Sequence, residues 1–279
     1  MKQHIYILIP IIFLSASTFC VFGQNQSFFE PIPHKTLDKT EMIVIYNLEF
    51  SPDSTNIQDK FETRAVLYIG NEISLYQCLY SVKREEIMRG AENMDDLRER
   101  AMNAPNARFA GRYFKNYPSG KITVTDRVIP DSFIYQEDKN ICSWTLHSEI
   151  SNYKGYSIQK ASCSFGGRDW IAWFSTEVSY SDGPHKFSGL PGLILKLYDT
   201  RNHYLFEMAS VEVAANGHVI EFPERNYIQT TKAQFFQARS HFRENIINRA
   251  AEAGLDIESQ QTAAENLRRR NNPIELTAD

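Results

Sequence analysis

The 279-residue sequence has few of the residue patterns that mark common enzyme and metal sites. It has four cysteines and no C-x-x-C pair, so nothing supports a zinc ribbon or a dithiol redox motif. It also lacks the nucleophile elbow of serine hydrolases, the H-E-x-x-H zinc motif, the P-loop and the glycine-rich dinucleotide loop. The histidines are scattered, with no two at metal-ligand spacing on a readable helix. We therefore expect no metal and no other cofactor.

The sequence also lacks a concentration of positive charge. Its formal net charge is −4, and acidic and basic residues are mixed along the chain. The one dense basic run, Arg268-Arg269-Arg270, is typical of a solvated helix end. Proteins that bind nucleic acid generally carry a basic face. The composition therefore argues against nucleic acid as a partner.

A pronounced apolar run occurs at the start of the chain. Lys2 precedes the apolar stretch Ile5–Leu14, and a small residue precedes Gln24. This is the layout of a cleaved signal peptide over residues 1–23. The alternative is a lipoprotein signal centred on Cys20, but a bulky phenylalanine stands directly before that cysteine. We favour cleavage before Gln24, which predicts export to the periplasm or cell exterior and no transmembrane anchor afterwards.

Three cysteines follow the predicted cleavage site: Cys78, Cys142 and Cys163. An oxidising compartment permits one disulfide among them. Cys142 and Cys163 flank two neighbouring predicted strands, so a Cys142–Cys163 pair is our first choice. The alternative, that all three are small buried hydrophobic residues, remains open because sequence cannot fix connectivity.

Most of the remaining chain consists of short apolar segments with strand-like alternation, separated by turns. Helical patterns cover residues 82–102, 231–253 and 259–270. We predict an extended leader over 24–37, an antiparallel β-rich domain over 38–230 with a peripheral helix near 82–102, and a C-terminal helical segment over 231–279 that packs on it. The predicted class is α+β, with a large curved antiparallel sheet and helices at one end or face. This arrangement resembles the open half-barrel of periplasmic lipoprotein carriers.

The most distinctive stretch runs from Trp170 to Tyr198. A buried strand is predicted at its start, followed by two breaks, Asp182-Gly183-Pro184 and Gly189-Leu190-Pro191-Gly192. Leu193–Tyr198 then alternates as a strand, and Tyr204–Val213 is predicted to pair with it. Glycine and proline at the breaks indicate tight turns, and an alternative is a rigid loop that presents groups to a ligand.

The hexapeptide from Gly189 to Ile194 resembles the signature of the GLPGLI family, secreted proteins of Gram-negative bacteria. Further segments match that pattern: Gly167-Arg168-Asp169-Trp170, Ala172-Trp173-Phe174, Gly183-Pro184, Phe187, Gly189-Leu190-Pro191-Gly192-Leu193-Ile194-Leu195 and Asn272-Pro273-Ile274-Glu275-Leu276. The resemblance runs from about residue 156 to 276. It implies a secreted protein without an established activity.

The residues around this signature are the candidate binding site. They are Arg168, Trp170, Trp173, Asp182 and His185. Together with the absent catalytic motifs, they favour a non-enzymatic envelope protein that binds a small apolar ligand or another envelope protein. The alternative is a hydrolase with an atypical site near His185, because Asp182 and Ser188 supply the residue types of a triad. We name no catalytic residue.

Overall fold

A computed structural model describes residues 32–107, 109–246, 248 and 256–278. Within these residues, thirteen strands form one sheet. The strands are β1 (His34–Phe50), β2 (Phe61–Gly70), β3 (Ser74–Cys78), β4 (Arg112–Lys115), β5 (Lys121–Val128), β6 (Asp131–Asp138), β7 (Thr145–Tyr153), β8 (Tyr156–Phe165), β9 (Arg168–Ser175), β10 (Leu193–Asp199), β11 (Tyr204–Val213), β12 (Val219–Pro223) and β13 (Ile228–Gln229). The helices are α1 (Leu79–Met88), α2 (Met94–Asn103), α3 (Lys232–Glu244) and α4 (Ile257–Arg268). The predicted signal peptide lies outside the described residues.

The strands follow the order β13-β6-β5-β4-β3-β2-β1-β11-β10-β9-β8-β7 across the sheet, and β12 pairs with the first part of β1. Among the described strands only β13 and β6 run parallel. Most connections between consecutive strands are short, and short turns join antiparallel strands. The protein is therefore mostly β, with one large mixed sheet and few helices. The predicted α+β class is confirmed in this coarser form.

The central strand β1 shows how the two faces of the sheet differ. Val44, Tyr46 and Leu48 are buried, whereas Asn47 and Glu49 between and beside them are exposed or half-buried. Successive side chains of a strand point to opposite faces. We call the face that carries Val44, Tyr46 and Leu48 the inner face, and the opposite one the outer face.

The inner face packs against the chain's own loop between β9 and β10. Trp170 and Phe174 of β9 are fully buried there, and Phe187 of the loop packs on Trp170 with ring centroids 4.9 Å apart. The hydroxyl of Tyr46 donates to the carbonyl of Ile194 at 2.7 Å. Each large apolar side chain buried in this way stabilises the fold by about 1.5–3 kcal/mol. The inner face is thus covered largely by the loop of residues 176–192 between β9 and β10.

The helix predicted near 82–102 is divided into two, so the prediction of one helix was wrong. Gly90 follows α1 with a left-handed φ of 79°. Asn93 caps α2, accepting hydrogen bonds from the backbone of Asp95 and Asp96 at 3.0 Å each. Glycine after a helix and asparagine at an N-cap are the usual stop and start signals. Neither helix has a buried residue, as the narrow apolar stripe indicated.

The two ends of the chain differ in how far the predictions held. The leader predicted over 24–37 was wrong for His34–Leu37, which belong to β1 and reach β12, while residues 24–31 lie outside the described part. At the other end, α3 begins with a capping box at Thr231 and Gln234. Its Phe235 packs on β6 as the helical stripe predicted, 5.6 Å from the Tyr135 ring. In the described part of the chain, no helix combines the length and apolar character needed to cross a membrane.

Candidate functional site

The loop Asp182–Ser188 is buried on the inner face rather than presented to solvent. The Asp182 carboxylate accepts hydrogen bonds from the ammonium group of Lys115 and from the hydroxyl of Ser74. Lys115 Nζ also donates to the carbonyl of Gly183 at 2.6 Å. Burial lowers the pKa of Lys115, and the charge of Asp182 opposes that shift. This buried ion pair fixes the loop to β3 and β4.

Close packing explains why glycine occupies positions 183 and 192. A Cβ at Gly192 would lie 2.1 Å from the carbonyl oxygen of Ser175, and one at Gly183 would lie 2.7 Å from Ile194. Real side chains do not approach so closely, so these two positions accept only glycine without movement of the neighbouring strand. Packing therefore requires glycine at these two positions. Gly189 differs, because its φ of 94° is left-handed and its nearest contact would be at 3.9 Å.

Next to Asp182, two cations and two carboxylates form a charge-balanced buried cluster. Lys186 Nζ lies 2.7 Å from Glu275 Oε1, and Lys232 Nζ lies 2.7 Å from Glu275 Oε2. Glu137 pairs with Lys186 and lies 3.4 Å from Lys232. His185 Nε2 is 3.8 Å from Glu275. We call these five residues the inner cluster, and its four charges cancel.

The inner cluster shifts the protonation of two of its members. Burial alone would raise the pKa of Glu275, but Lys186, His185 and Lys232 lower it to about 2. Burial lowers the pKa of His185 to about 3, so the imidazole is neutral at pH 7. Neither ring nitrogen of His185 has a hydrogen-bond partner among the described residues, and its backbone is left-handed with φ 53°. Such a buried, unpaired ring costs free energy unless surrounding contacts hold it.

Arg168 holds residues 271–277, which we call the C-terminal strap. Its guanidinium forms an ion pair with Asp199 at 2.9 Å, and both side chains are completely buried. It also donates to Asn272 Oδ1 at 2.5 Å and to the carbonyls of Pro273 and Ile274 at 2.7 and 3.0 Å. These three strap residues and Glu275 of the inner cluster all lie within Asn272–Leu276. That is the segment that resembles the end of the family pattern. The separated family-like segments therefore meet in one place.

Four of the five predicted binding residues are thus interior groups. Arg168, Trp170, Asp182 and His185 are buried and contact other parts of the chain. The triad types do not assemble either, because Asp182 binds Lys115 and Ser74 and the His185 ring has no hydroxyl or thiol partner among the described residues. Trp173 differs from the other four, since its side chain is half-buried on the outer face.

The predicted cysteine pair lies in contact. The neighbouring Cys163 thiol raises the pKa of Cys142, and burial adds to that shift. Cys78 is on β3, with its sulfur 3.7 Å from the hydroxyl of Thr63. All three thiols are free in this structure. The disulfide therefore stays a prediction.

The outer face carries an open groove of about 740 Å³. Its floor is built from neighbouring residues on β9, β10 and β11, because Trp173 pairs with Lys196 and Tyr198 pairs with Leu205. Trp173 and Tyr198 are half-buried, so each retains exposed aromatic surface. We call this concavity the outer groove.

The walls of the outer groove are the tip of the β7–β8 hairpin and the loop before β2. The hairpin tip bends over the sheet, where the hydroxyl of Tyr153 donates to the carbonyl of Met208 and Lys154 Nζ donates to that of Ala209, both at 3.0 Å. Polar side chains from both walls and from the β10–β11 turn reach the groove; these are Gln58, Lys60, Ser151, Asn152 and Asn202.

The charged groups of the outer groove are paired. Lys60 Nζ lies 2.5 Å from Glu49, and Lys196 Nζ lies 2.9 Å from Glu207. These side chains are partly exposed, so each pair contributes little to stability. The pairs do affect ligand recognition, because they leave the groove with no net charge that would attract an ionic ligand.

The sequence contained part of the signal for the outer groove. Strand alternation placed Lys196 and Tyr198 on one face of β10, opposite the leucines. The wall could not be foreseen, because the bend of the β7–β8 hairpin depends on contacts between Tyr153 and Met208, which are far apart in sequence. Among the described residues, no three His, Cys, Asp or Glu side chains are grouped so that they could hold a metal ion.

Comparisons with known proteins concern the family-like segment and the fold. A family model described as "Protein of unknown function (Porph_ging)" matches residues 167–196. No curated protein matches the sequence. Two structures of PNGF-II, in space groups C2 and P21, are similar to this chain, with 12% identity, 73% of this chain covered, and TM-scores of 0.49 and 0.50. The chain spans about a third of the length of those chains. The likeness at a TM-score of 0.50 concerns the fold alone.

Proposed function

We propose that the protein is a non-enzymatic binding module of the cell envelope whose ligand occupies the outer groove. The observation that carries this proposal is the exposed aromatic floor formed by Trp173 and Tyr198 within a concavity of about 740 Å³. Ligand sites are usually concavities of about 300–1,000 Å³ lined by apolar and aromatic groups with a few polar ones. The outer groove has this size and this mixture.

The ligand is an uncharged polar molecule with a flat apolar side. Lys60 and Lys196 are each neutralised by a carboxylate, which disfavours phosphates and other anions. Trp173 and Tyr198 offer surfaces on which an apolar side can stack, and the amides of Asn152 and Asn202 offer hydrogen bonds. A purely apolar ligand, our expectation from sequence, has less support because the inner face is filled by Phe187 and its neighbours.

The envelope location rests on the first 23 residues, whose pattern is that of a signal peptide. A carrier-like half-barrel is part of the same proposal. The loop Asp182–Ser188 fills the inner face of the sheet, so a ligand would bind on the outer face, in the outer groove. A binding module with its site on an exposed face suits a location where ligands arrive from outside the cell.

The test uses the three tryptophans of the chain as reporters. They are Trp144, Trp170 and Trp173. The protein labelled with 5-fluorotryptophan gives one ¹⁹F resonance for each, assigned with single Trp→Phe variants. Neutral compounds fractionated from envelope extracts are then added. We expect some fractions to shift the Trp173 resonance while that of the fully buried Trp170 stays in place. A screen in which the Trp173 resonance never moves would contradict the proposal.

A further inference from the structure

A second groove of about 640 Å³ lies beside the outer groove on the same face. Its lining includes His147, Lys160 and Thr200, and Ile171 forms part of its floor. Ile171 is the cross-strand partner of Tyr198, and Lys160 is the cross-strand partner of Trp173. Directly paired side chains on one face of a sheet are neighbours. The two grooves therefore adjoin.

One row of cross-strand pairs passes through both grooves at right angles to the strands. From the second groove to the outer groove the row consists of Thr145, Ser162, Ile171, Tyr198, Leu205 and Glu49. It crosses six strands and therefore five spacings, or about 24 Å at about 4.8 Å each. A single small molecule would leave much of this length empty. A linear chain of repeating units would fill it.

The chemistry along the row indicates what the repeating unit is. The row carries hydroxyl groups at its end in the second groove, from Thr145 and Ser162. A continuous apolar surface from Ile171, Tyr198 and Leu205 follows. Backbone donors and acceptors are used within the sheet, so an extended peptide would find partners at a sheet edge but not on this face. A sugar ring has C–H groups on its faces and hydroxyl groups around its rim, so it can both stack and donate to side chains.

The charged groups of the second groove also favour a neutral ligand. Lys160 Nζ is 2.8 Å from Glu149, so this cation is paired as well. Asp169 accepts a hydrogen bond from the hydroxyl of Ser164 at 2.6 Å and adds a negative charge at the border. Acidic sugars and phosphorylated chains are therefore disfavoured. Building on the proposed function, we infer that the two adjoining grooves bind a chain of neutral sugars.

The test measures binding as a function of chain length. The protein is applied to an array of neutral and acidic glycans, and a bound neutral type is titrated as its one- to six-unit oligomers. We expect affinity to rise by at least about tenfold between the dimer and the hexamer, because the longer chain enters the second groove. The Trp173 resonance should move with both.

Substitutions test the contributions of the two grooves separately. Trp173→Ala should abolish binding of all lengths. Thr200→Arg narrows the second groove from an exposed loop position, so it should remove the gain of the hexamer and leave the dimer within about twofold. Ser119→Arg, an exposed turn residue between β4 and β5, is the matched control and should change neither.

The outcomes distinguish this inference from the proposed function. If a neutral compound that is not a sugar moves the Trp173 resonance and no glycan binds, the sugar chain is refuted and the binding module stands. If affinity does not depend on length, or acidic glycans bind better, the inference is also overturned. If nothing moves the Trp173 resonance, both fail.

Discussion

Replacing Arg168 with methionine should strongly destabilise the protein and release the C-terminal strap. In the wild type this guanidinium is paired with Asp199 and donates to three strap residues, all at 3.0 Å or less. Methionine fills similar space but donates nothing. Asp199 would then keep a buried charge with only the backbone N–H groups of His203 and Tyr204 as partners.

The magnitude follows from the burial of the pair. Both side chains are 0% exposed, so solvent cannot compensate the remaining carboxylate. Removing one partner of a buried ion pair costs about 3–5 kcal/mol, and removing both costs much less because no charge is left unpaired. Total stabilities are about 5–15 kcal/mol. We therefore expect Arg168→Met to lose a large part of the free energy of unfolding and Arg168→Met/Asp199→Leu to recover some of it.

Urea unfolding measures these free energies, and carboxypeptidase digestion reports release of the strap. Arg98→Met is the matched control, since Arg98 pairs with Asp95 at 3.2 Å on an exposed helix surface and should lose at most about 1 kcal/mol. A loss below about 1 kcal/mol in Arg168→Met, or a double variant less stable than the single one, would refute the reasoning.

Three other predictions concern the interior. The free energy of unfolding should fall as the pH drops from 6.5 towards 3. The pKa of His185 is lowered to about 3 in the folded protein, so only the unfolded chain takes up that proton in this window. His185→Gln should therefore flatten the pH dependence of stability, measured by urea unfolding between pH 6.5 and 5. Oxidised glutathione should remove about two daltons from the intact mass and stabilise the fold by roughly 3 kcal/mol through a Cys142–Cys163 bond, whereas Cys142→Ser should show neither effect. Gly192→Ala should yield little folded protein, because its Cβ would meet the Ser175 carbonyl at 2.1 Å, while Gly120→Ala, with no atom within 4 Å, should cost about 1 kcal/mol by thermal denaturation.

Strand positions were largely predictable from sequence because alternation is a local property. β11 has the predicted bounds, and β10 extends one residue beyond the predicted Leu193–Tyr198. The order of the strands was not predictable, since β1 pairs with β11 across more than 150 residues. The missed division between α1 and α2 had a local signal in Gly90 and Asn93, which are stop and start residues.

The candidate site was less predictable because exposure depends on what covers each face. Trp170 and Trp173 stand three residues apart on the same strand, so alternation places them on opposite faces but does not show which face is covered. One points to the inner face beneath Phe187 and is completely buried. The other points to the outer face beside Lys196. An aromatic residue in a strand can therefore be assigned to the core or to a binding site only when the segment that covers each face is known.

The family-like segment and the proposed binding site therefore carry different information. The match over residues 167–196 covers Arg168, Gly192 and the loop between them, which close the inner face. It includes Trp173, Ile171 and Lys196 from the two grooves but not their walls, which come from the β7–β8 hairpin and the loop before β2. The matched segment holds only one partner of each buried ion pair, namely Arg168, Asp182 and Lys186. The other partners, Asp199, Lys115 and Glu275, lie outside it. The match over residues 167–196 therefore identifies neither the groove walls nor the ligand, so the ligand class has to be tested in each groove separately.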